Sequence, residues 1–245
     1  MINNIRFKNI KFLNISDKDF PIIIKKKGLF LFPSGPGLSS IEKEIPYLKA
    51  LKNADYNFFD SGYFVLLLKY FKQINVSKFS GYLFFKLFLE YIKKNNNKKL
   101  FLVDPNIRLS VSNTKLFNKI GVIKKNINNY IAPQYNSKTI SDRKLLNIIK
   151  KIKPEYILLN IGGGTQEILG LYLKNNIHFK CTIICSGAAI SFFTGDQAPI
   201  NVFFDKIYLG WLIRIIFNPS VFLPRYLKTL KLINIVLNNN IKVMK

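Results

Sequence analysis

Short, almost unbroken apolar runs alternate along this chain with longer segments whose apolar residues recur every three or four positions. The runs are GLFLFP (28–33), DYNFF (55–59), KLFLV (99–103), NYIAP (129–133), EYILLNI (155–161) and CTIICS (181–186). Their length and their aliphatic and aromatic content predict strands. Helical spacing predicts helices at about 40–52, 62–72, 81–94, 110–119, 139–151 and 165–176. Strands that are apolar throughout, rather than at every second residue, are buried on both faces, as in a parallel sheet covered by helices. The expected fold is α/β, with a Rossmann-like, mostly parallel sheet, helices on both faces and no internal repeat.

The texture changes near residue 195. Segment 199–238 offers no strand and reads as successive helices broken at Pro199, Pro219 and Pro224. The expected division is a core over 1–197 and a helical, basic C-terminal appendage over 198–245. WLIRIIFNP (211–219) and FLPRYLKTLKLINIVL (222–237) mix aromatic and aliphatic residues with Arg214, Arg225, Lys228 and Lys231. Such a segment either docks on the core or lays its apolar face on lipid, its cations meeting phosphates. The pattern alone favours docking.

Composition narrows the class. With 245 residues, 49% of them hydrophobic, the chain has ample material for a core and is not disordered. Cys181 and Cys185 are the only thiols and His178 the only histidine. That excludes a disulfide scaffold and zinc sites built on several imidazoles, and suits a reducing compartment. We read these three residues as structural and expect neither metal nor cofactor. The opening MINNIRFKNIKFLN breaks up its apolar residues with charge, and no stretch reaches the ~20 apolar residues of a membrane span. The expectation is a cytoplasmic protein that meets a membrane from one side only.

Net charge is +25, from 38 basic and 13 acidic residues, yet only five of the bases are arginines. Abundant Lys, Asn and Ile is the bias of an AT-rich coding sequence, so part of the charge is generic surface. The surface still attracts polyanions, whether nucleic acid, anionic lipid or phosphorylated substrates.

Chemistry has three candidate places. In EYILLNIGGGTQE (155–167) a buried strand runs into three glycines and then a helix. Such a turn lets backbone approach a phosphate at a helix N-terminus, although a plain tight turn also explains it. Asp60 in FFDSGYF (58–64) follows a strand, where a carboxylate serves as general base or as a helix cap. SGAAISFFTGDQAP (186–199) repeats the strand, glycine and helix order, with Gly187 in the turn.

Taken in order, these segments resemble the WecG/TagA/CpsF family of bacterial glycosyltransferases. GGGTQE (162–167) is similar to its GxPxQE turn, with Thr165 where a Lys is usual, and CSGAAISFFTGDQAP (185–199) to its VGxxFDxxxGxxxRAP stretch. LGWLIRIIFNPSVFLPRYL (209–227) follows the family's GLEWLxRL block, its Pro and its Arg-Arg-Tyr cluster, keeping Trp211, Arg214, Pro219, Arg225 and Tyr226. NADYNFFDSG (53–62) resembles the ADxxxxDG element and KFSG (78–81) the RxxG. Gln197, Gly210 and Leu83 depart from the pattern, and Ser34 in PSGPG (33–37) is a loose counterpart of a Thr-x-Asn strand end. The likeness covers roughly residues 30–237 and leaves the donor's identity open.

The resemblance implies transfer of an N-acetylhexosamine, often N-acetylmannosamine, from a UDP-sugar donor to a polyprenol-diphosphate-linked sugar acceptor. It implies inversion, no required metal, and work on the inner face of the cell membrane. Asp60 then matches the general base, Lys78 a cation near the donor diphosphate, and Gly162, Gly163, Gln166 and Glu167 the donor-binding turn. Arg214 and Arg225 match cations of the appendage that neutralise the leaving diphosphate, and Gly187 and Ser34 line the substrate site. Fixed cations and backbone N–H groups are what a leaving diphosphate needs without a metal.

Two other classes compete. A nucleic-acid-binding protein fits the charge, but such proteins cluster bases with aromatics in a module, and here the lysines are dispersed. Another α/β nucleotide-dependent transferase fits the glycines, although no acidic ribose partner follows about 20 residues on, as a dinucleotide site requires. Self-association stays open.

Overall fold

The computed structural model describes residues 3–136, 139–197, 205, 208 and 210–244. Its strands are β1 (Asn3–Phe7), β2 (Ile10–Asn14), β3 (Gly28–Leu31), β4 (Tyr56–Phe58), β5 (Leu100–Asp104), β6 (Ile127–Ile131), β7 (Tyr156–Leu159), β8 (Thr182–Cys185) and β9 (Ile241–Met244). Its helices are α1 (Phe20–Ile23), α2 (Gly35–Leu38), α3 (Ile45–Asn53), α4 (Gly62–Lys72), α5 (Gly81–Lys94) and α6 (Ile107–Lys119) in the first half. The second half adds α7 (Arg143–Ile152), α8 (Thr165–Asn176), α9 (Ser191–Thr194), α10 (Gly210–Phe217), α11 (Pro219–Thr229) and α12 (Leu232–Leu237).

One sheet runs β6-β5-β7-β8-β3-β4-β2-β1-β9. Every pairing from β6 to β2 is parallel, and β1 pairs antiparallel with both β2 and β9. The α/β fold therefore matches the expectation, and each predicted run forms a strand. β5, β7 and β8 are buried at every position, because helices cover both faces. Leu51, Phe64, Leu145, Leu169 and Val236 of α3, α4, α7, α8 and α12 fill one side. Phe20, Phe84, Phe88 and Phe117 of α1, α5 and α6 fill the other.

Two features lay outside the expectation. β1 and β2 form a hairpin in which Ile5, Phe7, Ile10 and Phe12 are buried and Arg6 and Lys11 exposed. Its two-residue turn, Lys8-Asn9, has φ of 49° and 62°, the geometry that follows the twist of tight hairpins. β9 then returns from the appendage to pair with β1, Ile241 opposite Phe7.

Among the described residues of the appendage three helices run between Gly210 and Leu237, and one expected break is corrected. Pro219 opens α11, but Pro224 lies inside it. A proline there removes one rung, and the bonds on either side hold: the Phe222 N–H reaches the Asn218 carbonyl and the Thr229 hydroxyl reaches that of Arg225. Pro199 lies outside the described residues. α12 buries Leu232, Ile235 and Val236 in the main core, whereas α10 and α11 expose Ile216 (74%), Phe217 (58%) and Leu227 (58%). Deleting a buried leucine removes its transfer energy and leaves a cavity, so Leu232→Ala is expected to cost about 2–4 kcal/mol in urea unfolding. Leu227→Ala in the same appendage is expected to cost under about 0.5 kcal/mol. Equal losses would show that α11 is packed like α12.

Candidate active site

In a parallel sheet all strand ends of one kind lie on one edge. The chain leaves β5 for β6 on one side and β7 for β8 on the other, so a crevice opens between the carboxyl ends of β5 and β7. Ser34 follows β3, Asp60 follows β4, the three glycines follow β7 and Gly187 follows β8. These predicted residues therefore share the carboxyl edge.

The glycine bend has a precise local cause. Gly162 and Gly164 take φ of +94° and +90°, where a side chain would be strained, while Gly163 does not lie in that region. A Cβ on Gly163 would meet nothing within 4 Å. A tight turn thus explains two of the glycines and leaves the middle one unexplained by the protein's own packing.

Gln166 and Glu167 point inward. The Gln166 amide donates to Glu167 Oε1 (3.0 Å) and to the Cys185 carbonyl (3.1 Å), and its Oε1 accepts from the Gly187 N–H (3.0 Å). Glu167 Oε2 accepts from the Gly164 N–H at 2.6 Å, tying the first turn of α8 to the bend. Burial pushes the Glu167 carboxyl up to about 7, with the Asp60 charge adding to the rise, although the bonds from Gln166 and Gly164 oppose it.

Asp60 does not cap α4, the helix that follows it. Ser61 caps α4, accepting from the Phe64 N–H at 3.2 Å. Asp60 Oδ1 instead accepts from the Gly81 N–H, the first of α5, at 2.8 Å. Burial raises its pKa and the nearby Asp205 adds to this, while the Gly81 bond, Lys78 and Arg214 pull it down. The net rise makes it a stronger proton acceptor than a solvated aspartate. Tyr47, buried on α3, has its hydroxyl pushed well up by burial and by Glu167 and Asp60, which places the two carboxyls in one neighbourhood.

The cations divide. Arg214 sits 4.9 Å over the Phe192 ring and acts on Asp60. Lys78 is held by Asp205, at 2.6 Å to Oδ1 and 2.7 Å to the carbonyl, while Ser80 donates to Asp205 Oδ2 at 2.6 Å. Arg225 stands exposed on α11, 5.9 Å over Phe222, and is not among the groups acting on Asp60. Ser34 caps α2 through the Gly37 N–H at 3.4 Å, and a Cβ on the next residue, Gly35, would strike Thr229 of α11 at 2.9 Å. α11 therefore packs over the loop that carries Ser34.

Sequence reasoning missed Asp205 and Ser186, since nothing local marks either. The Ser186 hydroxyl, between β8 and Gly187, is buried with no partner among the described residues. It also missed a cleft of about 430 Å³ over β5–β7, between Pro105 and the 132–135 segment on one side and Ile161 and Thr165 on the other. Among the described residues no group of three His, Cys, Asp or Glu side chains is placed to hold a metal.

Fold and edge together define a doubly wound α/β protein, a class that binds its ligands at the carboxyl ends of the strands. The match is to a family: over residues 2–245 the chain belongs to the glycosyl transferase WecG/TagA/CpsF family. It is thus a glycosyltransferase, and the family works in cell-surface polysaccharide synthesis. Comparison with curated proteins finds no match.

The Glu167 pKa makes a stability prediction. A carboxyl raised in the folded state holds its proton more tightly there than when unfolded, so its contribution is complete below about 4.5 and is lost as pH rises through about 7. The loss is at most about 3 kcal/mol. Urea midpoints between pH 4 and 8 should fall over that window more steeply in wild type than in Glu167→Gln. Parallel curves would mean that Glu167 does not titrate in the fold.

Proposed function

We propose that the protein transfers an N-acetylhexosamine, such as N-acetylmannosamine, from a UDP-sugar to a polyprenol-diphosphate-linked sugar at the inner face of the cell membrane. The observation that carries this is Asp60, whose carboxylate sits at the carboxyl edge under the fields of Lys78 and Arg214, in electrical contact with Glu167 of the glycine bend. The acceptor hydroxyl oxygen attacks the anomeric carbon while Asp60 takes its proton. The carbon–oxygen bond to the diphosphate breaks, UDP leaves with the electron pair, and the anomeric centre inverts. Arg214 faces the growing charge on the leaving group, and a planar guanidinium suits phosphate oxygens. Arg225 reaches the reaction only if α11 shifts from its observed place.

The appendage supports the membrane side of the reading. Ile216, Phe217, Leu223 and Leu227 are exposed on α10 and α11, with Leu230 in the turn that follows, among Arg225, Lys228 and Lys231. Apolar side chains beside cations suit an anionic lipid surface. No helix among the described residues is long and apolar enough to cross a membrane. The core of residues 1–197 carries Asp60 and the bend, and the appendage carries the lipid contact and Arg214.

Turnover of UDP-N-acetylmannosamine with a polyprenol-diphosphate-linked N-acetylglucosamine tests the chemistry. Asp60→Asn is expected to lower kcat by about 10²–10⁴-fold with UDP affinity kept. Near wild-type turnover in that variant removes Asp60 from the mechanism. Gly163→Ala meets no packing obstacle, so its stability should match or exceed wild type by up to about 1 kcal/mol. Its donor KM should nonetheless rise several-fold if the donor lies against that backbone, and an unchanged KM would take the donor off the bend.

A further inference from the structure

We propose that Asp205 is a positioning residue for the transfer: by engaging the Lys78 ammonium it keeps that charge from weakening Asp60 as a proton acceptor. The proposal rests on the transferase reading above, in which Asp60 is the general base, and adds a residue that acts through Lys78.

Two carboxylates grip the start of one helix. Asp60 Oδ1 accepts from the Gly81 N–H at 2.8 Å, and Asp205 Oδ2 accepts from the Ser80 hydroxyl, the cap of α5, at 2.6 Å. Lys78, two residues earlier, donates to Asp205 Oδ1 at 2.6 Å and to the Asp205 carbonyl at 2.7 Å, so one residue takes two of its three donors. The Phe79 N–H donates to the Phe59 carbonyl at 2.9 Å, which fixes the segment bearing Lys78 and Ser80 beside the loop bearing Asp60. Tyr208 adds a second hold. Its ring lies 5.7 Å from Lys78 Nζ, and a Cβ on Gly62 would strike it at 2.7 Å, so the Asp205–Tyr208 turn covers the chain just after Asp60.

These charges are poorly screened. The Lys78 and Asp205 side chains are 10% and 13% exposed, so little water stands between them and Asp60. Burial favours the protonated form of Asp60, whereas the Gly81 bond, Lys78 and Arg214 favour the anion, and Asp205 opposes them. Glu167 of α8 and Tyr47 of α3 complete the surroundings and feel its charge. A site that gathers cations for a leaving diphosphate weakens the carboxylate beside them. A second carboxylate placed on one of those cations offsets the loss. Asp205 does this mainly by pairing with Lys78, since its direct push on Asp60 is the smallest of these effects.

The test is a pair of variants with opposite expected signs. Carbon-13 NMR of aspartate-labelled protein follows the Asp60 carboxyl, its signal identified by loss in Asp60→Asn. Asp205→Asn should move the Asp60 titration to lower pH, and Lys78→Met should move it to higher pH. A contact that merely tethers the appendage predicts shifts of one sign, because both variants break the same ion pair. Shifts of one sign, or none, overturn the proposal and leave the transferase reading intact. The acidic limb of kcat/KM should move with the NMR titration, and kcat of Asp205→Asn should fall about 3–10-fold, well short of Asp60→Asn. Asp205→Glu should restore both. Emission from Trp211, the single tryptophan, reports whether α10 stays in place in each variant. Should Asp205→Asn not fold, Lys78→Met decides alone, and a titration that stays put or falls overturns the proposal. Transfer that survives Asp60→Asn defeats the transferase reading, and this proposal with it.

Discussion

Gln166 fixes the separation of the two glycine turns on which the site is built. One buried amide joins the Cys185 carbonyl, the Gly187 N–H and Glu167, and so links the end of β7 to the end of β8. A buried polar group stripped of its partner costs about 1–3 kcal/mol, so these bonds stand or fall together. Glu167 is part of the same arrangement. Its burial is unfavourable enough to push its carboxyl up to about 7, yet the bend needs an acceptor for the Gly164 N–H and Glu167 supplies it. The two residues thus serve the site by shape: they hold backbone where a ligand can meet it and keep their own polar atoms occupied inside.

Asp60 lies at the balance point of opposed fields. Burial and Asp205 favour its protonated form, while the first N–H of α5, Lys78 and Arg214 favour the anion. Burial wins, which is the direction a general base requires, since a fully solvated aspartate is too weak to take a hydroxyl proton effectively. The same groups bind the appendage to the core. Asp205 spans Lys78 and Ser80, and Arg214 stacks on Phe192, so docking of the appendage sets part of the field at Asp60. Under the proposed reading, in which Asp60 takes the proton and the appendage meets lipid, that carboxylate senses where the appendage lies.

Strands β3, β5, β7 and β8 were legible because each is a nearly continuous apolar run, a signal that burial on both faces enforces, whereas β6, INNYI at the sheet edge, alternates. α4, α5 and α8 were legible to the residue, each bounded by Ser or Gly turns. The hairpin was hidden because MINNIRFKNIKFLN interrupts its alternation at Lys8-Asn9, a turn whose left-handed geometry has no glycine to announce it. β9 is four residues whose pairing exists only because β1 offers an edge 230-odd residues earlier, and no local pattern encodes that. Asp60, the glycines and Gly187 were visible because they follow apolar runs directly. Asp205 was not, since its role comes from Lys78 and Ser80, which meet it only in the fold.

Charge was the most conspicuous feature of the sequence and says least about the site. At the carboxyl edge, basic groups are offset: Lys78 by Asp205 and Arg108 by Asp196. The excess behind the +25 resides on the remaining lysines, dispersed over the surface. Dispersed charge gives a long-range, salt-screened attraction to any polyanion and no geometry with which to choose one. Selectivity has to come from places where charge meets shape, and the appendage is one of them. α10 and α11 set bulky apolar side chains beside arginine and lysine, the combination on which the proposed lipid contact rests.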